Sequence, residues 1–430
     1  MTPWKFLFVS IDGLITDTAW QVSREGHDVR YFIESVAEQQ IGDGLVPKTT
    51  DWEKDVDWAD VIVFDDVLGQ GAKAQALRLR GKAVVGGTAF TDQLEDDRTF
   101  GQNILKKYGI AIIPFETFTS FEDAVHFVEK NPSRYVIKPS GEAQNVKRLL
   151  FVGEDDDGTD VIHVLSSYAR VYHERVREFQ LQKRVTGVEI AVGAFFNGYE
   201  FLLPINVNFE HKKLFPGNIG PSTGEMGTLM YWSGPNRIFN QTLKKLEPLL
   251  REEGYVGYID LNCIVNGQGI YPLEFTARFG YPTISIQQEG LITPMGEFLH
   301  AMATKQKIEL RTRRGFQIGV RIVVPPFPFD DDHTFEVNSK DRVIIFKKPS
   351  LDGIHIEDVR AESGEWLITG TSGVVLIVCG TGPTVRQAQS QAYSRMRNIM
   401  IPNMYYRDDI GERWFEDSDR LHSWGYLRDS

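Results

Sequence analysis

Hydrophobic positions along the chain fall into short blocks, and the period inside each block predicts its element. Phe6–Ile11, Val29–Ile33, Val61–Phe64 and Ala83–Val85 are apolar runs bounded by Gly or Asp and separated by helical stretches. That spacing predicts βαβ units and a parallel sheet over roughly residues 1–95. From about 96 to 305 both periods occur. Ser120, with Asp123 three residues on, is an N-terminal capping signal for a helix whose apolar face is Phe121, Ala124, Val125 and Val128. Tyr135–Ile137 predicts a buried strand ending at Lys138, broken by Pro139-Ser140-Gly141. Phe239, Leu243, Leu246 and Leu250 recur at helical spacing and predict a second amphipathic helix. Gly257–Val265 and Ile270–Phe275 predict a strand pair across the turn Asn266-Gly267-Gln268-Gly269. The last stretch, 306–430, carries strands at Gly319–Val324, Val343–Phe346 and Val374–Val378. A capped helix follows, opened by Thr384 and Gln387, with the face Val385, Ala388, Ala392, Tyr393, Met396 and Ile399. The expected class is a multidomain α/β and α+β protein with an N-terminal parallel sheet and a C-terminal strand-rich domain.

Composition narrows the function. The 430 residues hold 47 Lys plus Arg against 59 Asp plus Glu, a net charge of −12. A surface of that sign repels nucleic-acid phosphates and anionic lipid, so neither is an expected partner. Two cysteines, each inside an apolar run, exclude a disulfide framework and a Cys-based zinc site. Gly373–Gly380 is the longest continuous apolar run, far short of a membrane span of about 18 residues. Asp12 interrupts the first apolar run before a signal-peptide core forms, so a cytoplasmic protein is expected.

Several motifs carry less than they promise. Gly220-Pro221-Ser222-Thr223-Gly224 matches G-x-S-x-G, but Phe215-Pro216-Gly217-Asn218 before it is not a strand and Gly224-Glu225-Met226-Gly227 after it is not a helix. Gly380-Thr381-Gly382 is half a dinucleotide fingerprint, with Val385 at the third glycine position. No P-loop motif occurs, and no His-x-x-x-His pair suits a zinc hydrolase. The acidic runs Glu154–Asp157 and Asp330–Asp332 lack an EF-hand's alternation and are expected to be solvated loops.

One constellation is more informative. Asp260 and Glu274 lie on successive predicted strands, and pairing would bring both carboxylates to one sheet face, where a hard cation needs oxygen ligands. Thr276 and Arg278 follow Glu274 at intervals of two and share its face. Lys138 ends a buried strand upstream. Carboxylates, a lysine and an arginine on separate strands form a plausible phosphoryl-transfer site without a P-loop. An ordinary cross-strand ion network is the competing reading.

The same residues resemble a family. Pro272-Leu273-Glu274-Phe275-Thr276-Ala277-Arg278-Phe279-Gly280 is similar to the E-F-N-x-R-F-G-D-P-E signature of glycinamide ribonucleotide synthetase, an ATP-grasp ligase. Its T-G-P-N-T-G-G-M-G loop resembles Ile219-Gly220-Pro221-Ser222-Thr223-Gly224-Glu225-Met226-Gly227, and its preceding D-H-K resembles Glu210-His211-Lys212. The strand end V-x-K-A-D-G is similar to Val136-Ile137-Lys138-Pro139-Ser140-Gly141. The hinge G-E-E is similar to Gly187-Val188-Glu189, and the closing R-x-D-I-G-x-R to Arg407–Arg413.

The resemblance implies an ATP-grasp fold with an N-terminal α/β domain (1–95), an ATP-grasp domain (96–305, its smaller clamp within 115–185) and a C-terminal domain (306–430). It implies ATP and Mg²⁺ (or Mn²⁺) as cofactors. Lys138 would hold ATP phosphate, with Arg98 where the family has an early phosphate-contacting lysine. The backbone of Gln182, Lys183 and Arg184 would meet adenine, and Glu189 would bind ribose. Glu274, Thr276 and Asp260 would take the metal. Arg278 and Lys212 would carry the catalytic charge, and Ser222, Thr223, Gly224, Glu225 and Met226, with Arg278, would meet the substrate. The implied reaction joins glycine to phosphoribosylamine through an acyl phosphate, in a monomer or small homo-oligomer acting on small molecules.

The chain departs from the family pattern at several points. Thr276 replaces an asparagine metal ligand, and Arg98 replaces a lysine. Gly141-Glu142-Ala143-Gln144-Asn145 replaces the Gly-rich flap, and Tyr281-Pro282-Thr283 replaces D-P-E. Glu225 replaces a glycine, and Ser10-Ile11-Asp12-Gly13 stands where the family has G-G-R-E-H. These changes leave open a relative that joins another amino acid to another amine, or one that binds nucleotide without catalysis.

Overall fold

A computed structural model of the chain describes residues 3–65, 69–140, 149–172 and 176–427. They form two compact units, one comprising Met1–Asp92, Ile190–Leu261 and Thr276–Ser430, the other Gln93–Glu189 and Asn262–Phe275.

The first unit begins with β1 (Lys5–Ser10), β2 (Asp28–Ile33), β3 (Val61–Phe64) and β4 (Val84–Val85), in the order β2-β1-β3-β4. All three pairings are parallel, with Phe6 opposite both Val29 and Val61. The expected parallel sheet is present. β3 is buried at every position, as a strand covered on both faces must be.

The second unit is built on β5 (Phe115–Phe118), β6 (Tyr135–Pro139), β7 (Phe151–Val152) and β8 (Phe179–Lys183), in the antiparallel order β5-β8-β6-β7. The helix Phe121–Lys130 starts at Ser120, whose side chain accepts the Asp123 N–H as the sequence predicts. Its buried residues Phe121, Ala124 and Val128 pack with Tyr135, Ile137, Val161, Leu165, Phe179 and Leu181.

The first unit resumes with β9 (Val188–Asn197), β10 (Ile205–Glu210), the hairpin β11 (Lys213–Phe215) and β12 (Ile219–Ser222), and β13 (Gly227–Ser233). β14 (Val256–Asn266) and β15 (Gly269–Thr276) follow across the expected Asn266–Gly269 turn, then β16 (Phe316–Val323). Within this unit the sheet runs β14-β9-β10-β13-β16, then on to β21 and β18, where β17 is Val343–Phe346, β18 Ile354–Ile356, β19 Val359–Glu362, β20 Glu365–Ile368 and β21 Val374–Gly382. With β22 (Ile399–Met400), the remaining strands form a small sheet in the order β19-β20-β17-β22.

Two helical expectations change. The face Phe239–Leu250 is not one helix but Arg237–Gln241, a 3₁₀ turn Leu243–Leu246 and Glu247–Glu252. Thr242 sits at φ −124° and ψ −97°, outside the helical region, and its hydroxyl bonds the Ile238 carbonyl at 2.6 Å. The apolar spacing survives the break because all four side chains still face the core. The helix opened by Thr384 ends at Met396, and Ile399 belongs to β22.

Gly380 and Gly382 serve close packing: a Cβ on Gly380 would lie 2.3 Å from the Ala388 carbonyl, and one on Gly382 2.7 Å from the Ala388 nitrogen. β21 is antiparallel to both its neighbours, so this is no dinucleotide fold. Ser222 ends a hairpin strand rather than a strand-to-helix elbow, which removes the hydrolase motif as well.

Candidate functional site

In the second unit, Lys138 lies on β6 opposite Gln180 of β8. Gln180 is buried and exchanges side-chain bonds with Gln102 at 3.1 and 3.3 Å, tying the helix Arg98–Lys107 to β8. That helix starts with Arg98, whose Nη1 donates to the Pro139 carbonyl at 2.8 Å, one residue beyond Lys138. Burial lowers the Arg98 pKa, and the nearby Glu274 carboxylate acts against the drop; a guanidinium keeps its charge regardless. Arg98 thus links two candidates: it bonds the end of Lys138's strand and feels the charge of Glu274, which is exposed near the end of β15.

Gln182 and Lys183 lie opposite Val136 and Tyr135. The Lys183 N–H donates to Pro114 O and the Arg184 N–H to Arg134 O, each at 2.9 Å. Both amide N–H groups are thus engaged within the second unit. The Arg184 side chain is held by Glu154 and by Gly153 O at 2.8 Å. Glu189 is half-buried at the start of β9, two residues after Gly187, where a Cβ would come 2.3 Å from Val265 O. Only glycine allows that approach. Gly141-Glu142-Ala143-Gln144-Asn145 lies outside the described residues.

In the first unit, the segment between β10 and β13 carries most of the substrate candidates. Lys212 Nζ is 3.3 Å from a Glu210 carboxylate oxygen. The Lys212 carbonyl accepts from the Thr223 N–H at 2.8 Å and the Thr223 hydroxyl at 2.9 Å, so the two ends of the hairpin are bonded together. Glu225 is buried and accepts a bond from the Thr228 hydroxyl. Burial, with the Glu210 charge adding to it, pushes its carboxyl up to about 8, against the opposing pull of the Thr228 bond, Arg321 and Lys212. Arg321 donates to the Glu225 carbonyl at 3.0 Å and pairs with buried Glu357 at 3.0 Å.

Met226 is fully buried with Leu214, Val323 and Val374, and its N–H is given to His211 O at 2.8 Å. Ser222 is fixed opposite Lys213 in the hairpin, while Gly224 is exposed. Arg278 is half-buried, with Nη1 bonded to Phe279 O at 2.9 Å and its guanidinium 5.8 Å from the Tyr281 ring. Asp260 is buried beside Tyr258, whose hydroxyl it pushes well above the ordinary range after burial itself.

Among the described residues no three His, Cys, Asp or Glu side chains gather as a metal cage. An exposed carboxylate such as Glu274 is the kind of donor Mg²⁺ takes, because that ion is held through one or two carboxylates plus substrate phosphates and waters.

Two family models match the chain in order: the ATP-grasp (A) domain of phosphoribosylglycinamide synthetase over residues 96–284, and its C domain over residues 337–413. Together they span more than half of the sequence. The chain belongs to the phosphoribosylglycinamide synthetase family. The phosphoribosylamine–glycine ligase of Streptococcus pneumoniae is 26% identical over 377 residues, covering 84% of each chain. The solved phosphoribosylamine–glycine ligase of Thermotoga maritima matches 95% of this chain and 100% of its own, with a TM-score of 0.71 at 21% identity. The biotin carboxylase domain of Hydrogenobacter thermophilus 2-oxoglutarate carboxylase, solved with MgADP, ADP and bicarbonate, aligns over 98% of both chains with a TM-score of 0.65 at 15% identity. At those identities the two structures establish the ATP-grasp fold alone.

The support beneath Glu225 was not among the residues the sequence pointed to. Thr228 and the Arg321–Glu357 pair hold it. An arginine inside the apolar run Gly319–Val324 was the available signal, since a charge in a buried strand must be paired.

Proposed function

We propose that the chain is an ATP-dependent carboxylate–amine ligase that joins glycine to phosphoribosylamine, giving glycinamide ribonucleotide, ADP and phosphate. The observation that carries this reading is the ordered match to both synthetase domains. Lys138 and Arg98 are assigned to ATP phosphates, Glu189 to ribose, the Gln182–Arg184 backbone to adenine, and Glu274 with Thr276 to Mg²⁺. Asp260, packed against Tyr258, is assigned a supporting place beside that strand rather than a direct one.

The glycine carboxylate oxygen attacks the γ-phosphorus, and the bond to the β–γ bridging oxygen breaks, releasing ADP and leaving an acyl phosphate. The amine of phosphoribosylamine then attacks the acyl carbon, phosphate departs, and the amine loses a proton. Bound Mg²⁺ supplies charge neutralisation at the phosphates. Arg278 and Lys212 neutralise negative charge that builds on the transferring oxygens. Thr223, Gly224 and the buried Glu225 form the loop assigned to the acid, and water must be kept from the acyl phosphate.

A second reading, ligation of a different acid and amine, is favoured by one observation: a buried carboxyl, Glu225, sits in that loop where the family pattern has glycine. Phosphate release from ATP separates the readings. Release that requires both glycine and freshly made phosphoribosylamine supports the first, and release with another pair supports the second. Nucleotide binding without turnover on any pair removes both.

A further inference from the structure

The family's closing motif, Arg407–Arg413 here, is not used by the site described above. Four of its residues, Arg407, Asp409, Gly411 and Arg413, bond one target, the segment that leaves β10 at Glu210 and returns to β13 at Gly227. A two-stranded hairpin such as β11–β12 is marginal in water and needs outside partners. They come from a single stretch of chain. Arg407 is fully buried, gripped by Asp409 at 2.7 Å through both Nε and Nη2. Its Nη1 donates to Lys213 O at 2.8 Å and its Nη2 to Asn218 Oδ1 at 3.1 Å. Asp409 accepts the Gly217 N–H at 2.9 Å, at the hairpin tip. The Tyr405 hydroxyl donates to Leu214 O at 3.1 Å. At the hairpin's root, the Gly411 N–H donates to His211 Nε2 at 3.3 Å and Arg413 Nη1 to Glu210 O at 3.0 Å. Burial, then Arg413 and Arg407, push the His211 ring down to about 3, which keeps it neutral and able to accept that bond.

We propose that Arg407 and Asp409 are positioning residues for ligation: by fixing the Lys213–Ser222 hairpin they hold Lys212 and Glu225, at its two roots, in the arrangement that receives the acid substrate. A planar, bidentate guanidinium satisfied on every nitrogen is suited to that task, because it sets the orientation of the loop as well as its distance. The proposal rests on the ligase reading and adds to it residues that touch neither substrate.

The test uses the full chain in three variants: Asp409→Asn, which keeps shape and removes charge; Asn218→Gly, which removes one hairpin contact at a left-handed position (φ 58°) that glycine tolerates; and Arg407→Lys. The glycine KM is expected to rise about tenfold in Asp409→Asn and Arg407→Lys and about threefold in Asn218→Gly, with MgADP affinity by calorimetry unchanged. Amide exchange at Gly217 is expected to quicken at least tenfold in Asp409→Asn. Asp408→Asn, an exposed neighbour, is expected to behave as wild type. Glycine constants within twofold of wild type in both Asp409→Asn and Asn218→Gly overturn the positioning role while leaving the ligase reading intact. So does a loss of MgADP affinity as large as the glycine effect, the mark of a merely structural contact; a lower melting temperature alone is expected, because Asp409→Asn leaves the buried Arg407 charge unpaired. A wild-type chain that turns over no glycine with phosphoribosylamine overturns the ligase reading itself, and the positioning role with it.

Discussion

The Arg98 guanidinium bonds the carbonyl of Pro139 at 2.8 Å, so the cation at a helix start is tied to the last residue of the strand that carries Lys138. Lys138→Ala removes one point charge, and Arg98→Ala removes a second charge plus a strand contact. Each is expected to weaken MgADP binding roughly tenfold, about 1.4 kcal/mol. Arg98→Lys keeps charge without the fork and should fall between. Calorimetric titration checks this, and unchanged affinity in both alanine variants would remove the phosphate assignment.

Glu274 is exposed at the end of β15, so Glu274→Gln is expected to shift stability by no more than about 0.5 kcal/mol. Turnover should fall about a hundredfold or more, because a charged oxygen donor for Mg²⁺ is gone. Thermal melting alongside phosphate release at rising Mg²⁺ separates these effects. Partial recovery at high Mg²⁺ is expected; normal activity at low Mg²⁺ would place the metal elsewhere.

The legible parts of this fold are those where period and punctuation agree. Phe6, Phe8 and Val63 alternate or run together as a buried strand must, and Ser120 and Thr384 cap the helices they announce. The Phe239–Leu250 helix failed because hydrophobic spacing reports which face is buried, not whether the backbone is continuous. Thr242 leaves the helical region, at φ −124° and ψ −97°, without disturbing the apolar spacing on either side. Charges in the site were legible as residue types in order. What lay hidden was their support: Arg98 to Pro139 spans 41 positions and Arg407 to Lys213 spans 194, and neither separation leaves a local pattern.

Arg321 and Glu357 form an ion pair whose side chains are 8% and 7% exposed. Removing one partner leaves the other charge buried, so Arg321→Met should cost about 3–5 kcal/mol. Replacing both, as in Arg321→Met with Glu357→Leu, should recover most of that stability. The double variant is nonetheless expected to lose activity, because Arg321 also donates to the Glu225 carbonyl at 3.0 Å. Denaturant unfolding beside phosphate-release kinetics checks both halves; full activity in the double variant would detach Arg321 from the site.

Glu225 makes stability depend on pH in a direction that can be worked out. Its carboxyl moves from an ordinary 4.5 up to about 8 in the folded chain, mainly through burial. Between those values the folded state binds the extra proton, so raising pH through this window removes stability, by at most about 1.4 kcal/mol per pH unit. His211 acts oppositely at lower pH: its folded value of about 3 lies below the ordinary 6.5, so its contribution grows as pH rises between them. Comparison with Glu225→Gln cancels the His211 effect, because the amide keeps an oxygen for the Thr228 bond and cannot ionise. The two proteins should have nearly equal melting temperatures at pH 5. By pH 8 the variant should be the more stable. A difference that stays constant from pH 5 to 8 would mean that the carboxyl is already ionised at the lower end, and that burial does not control it.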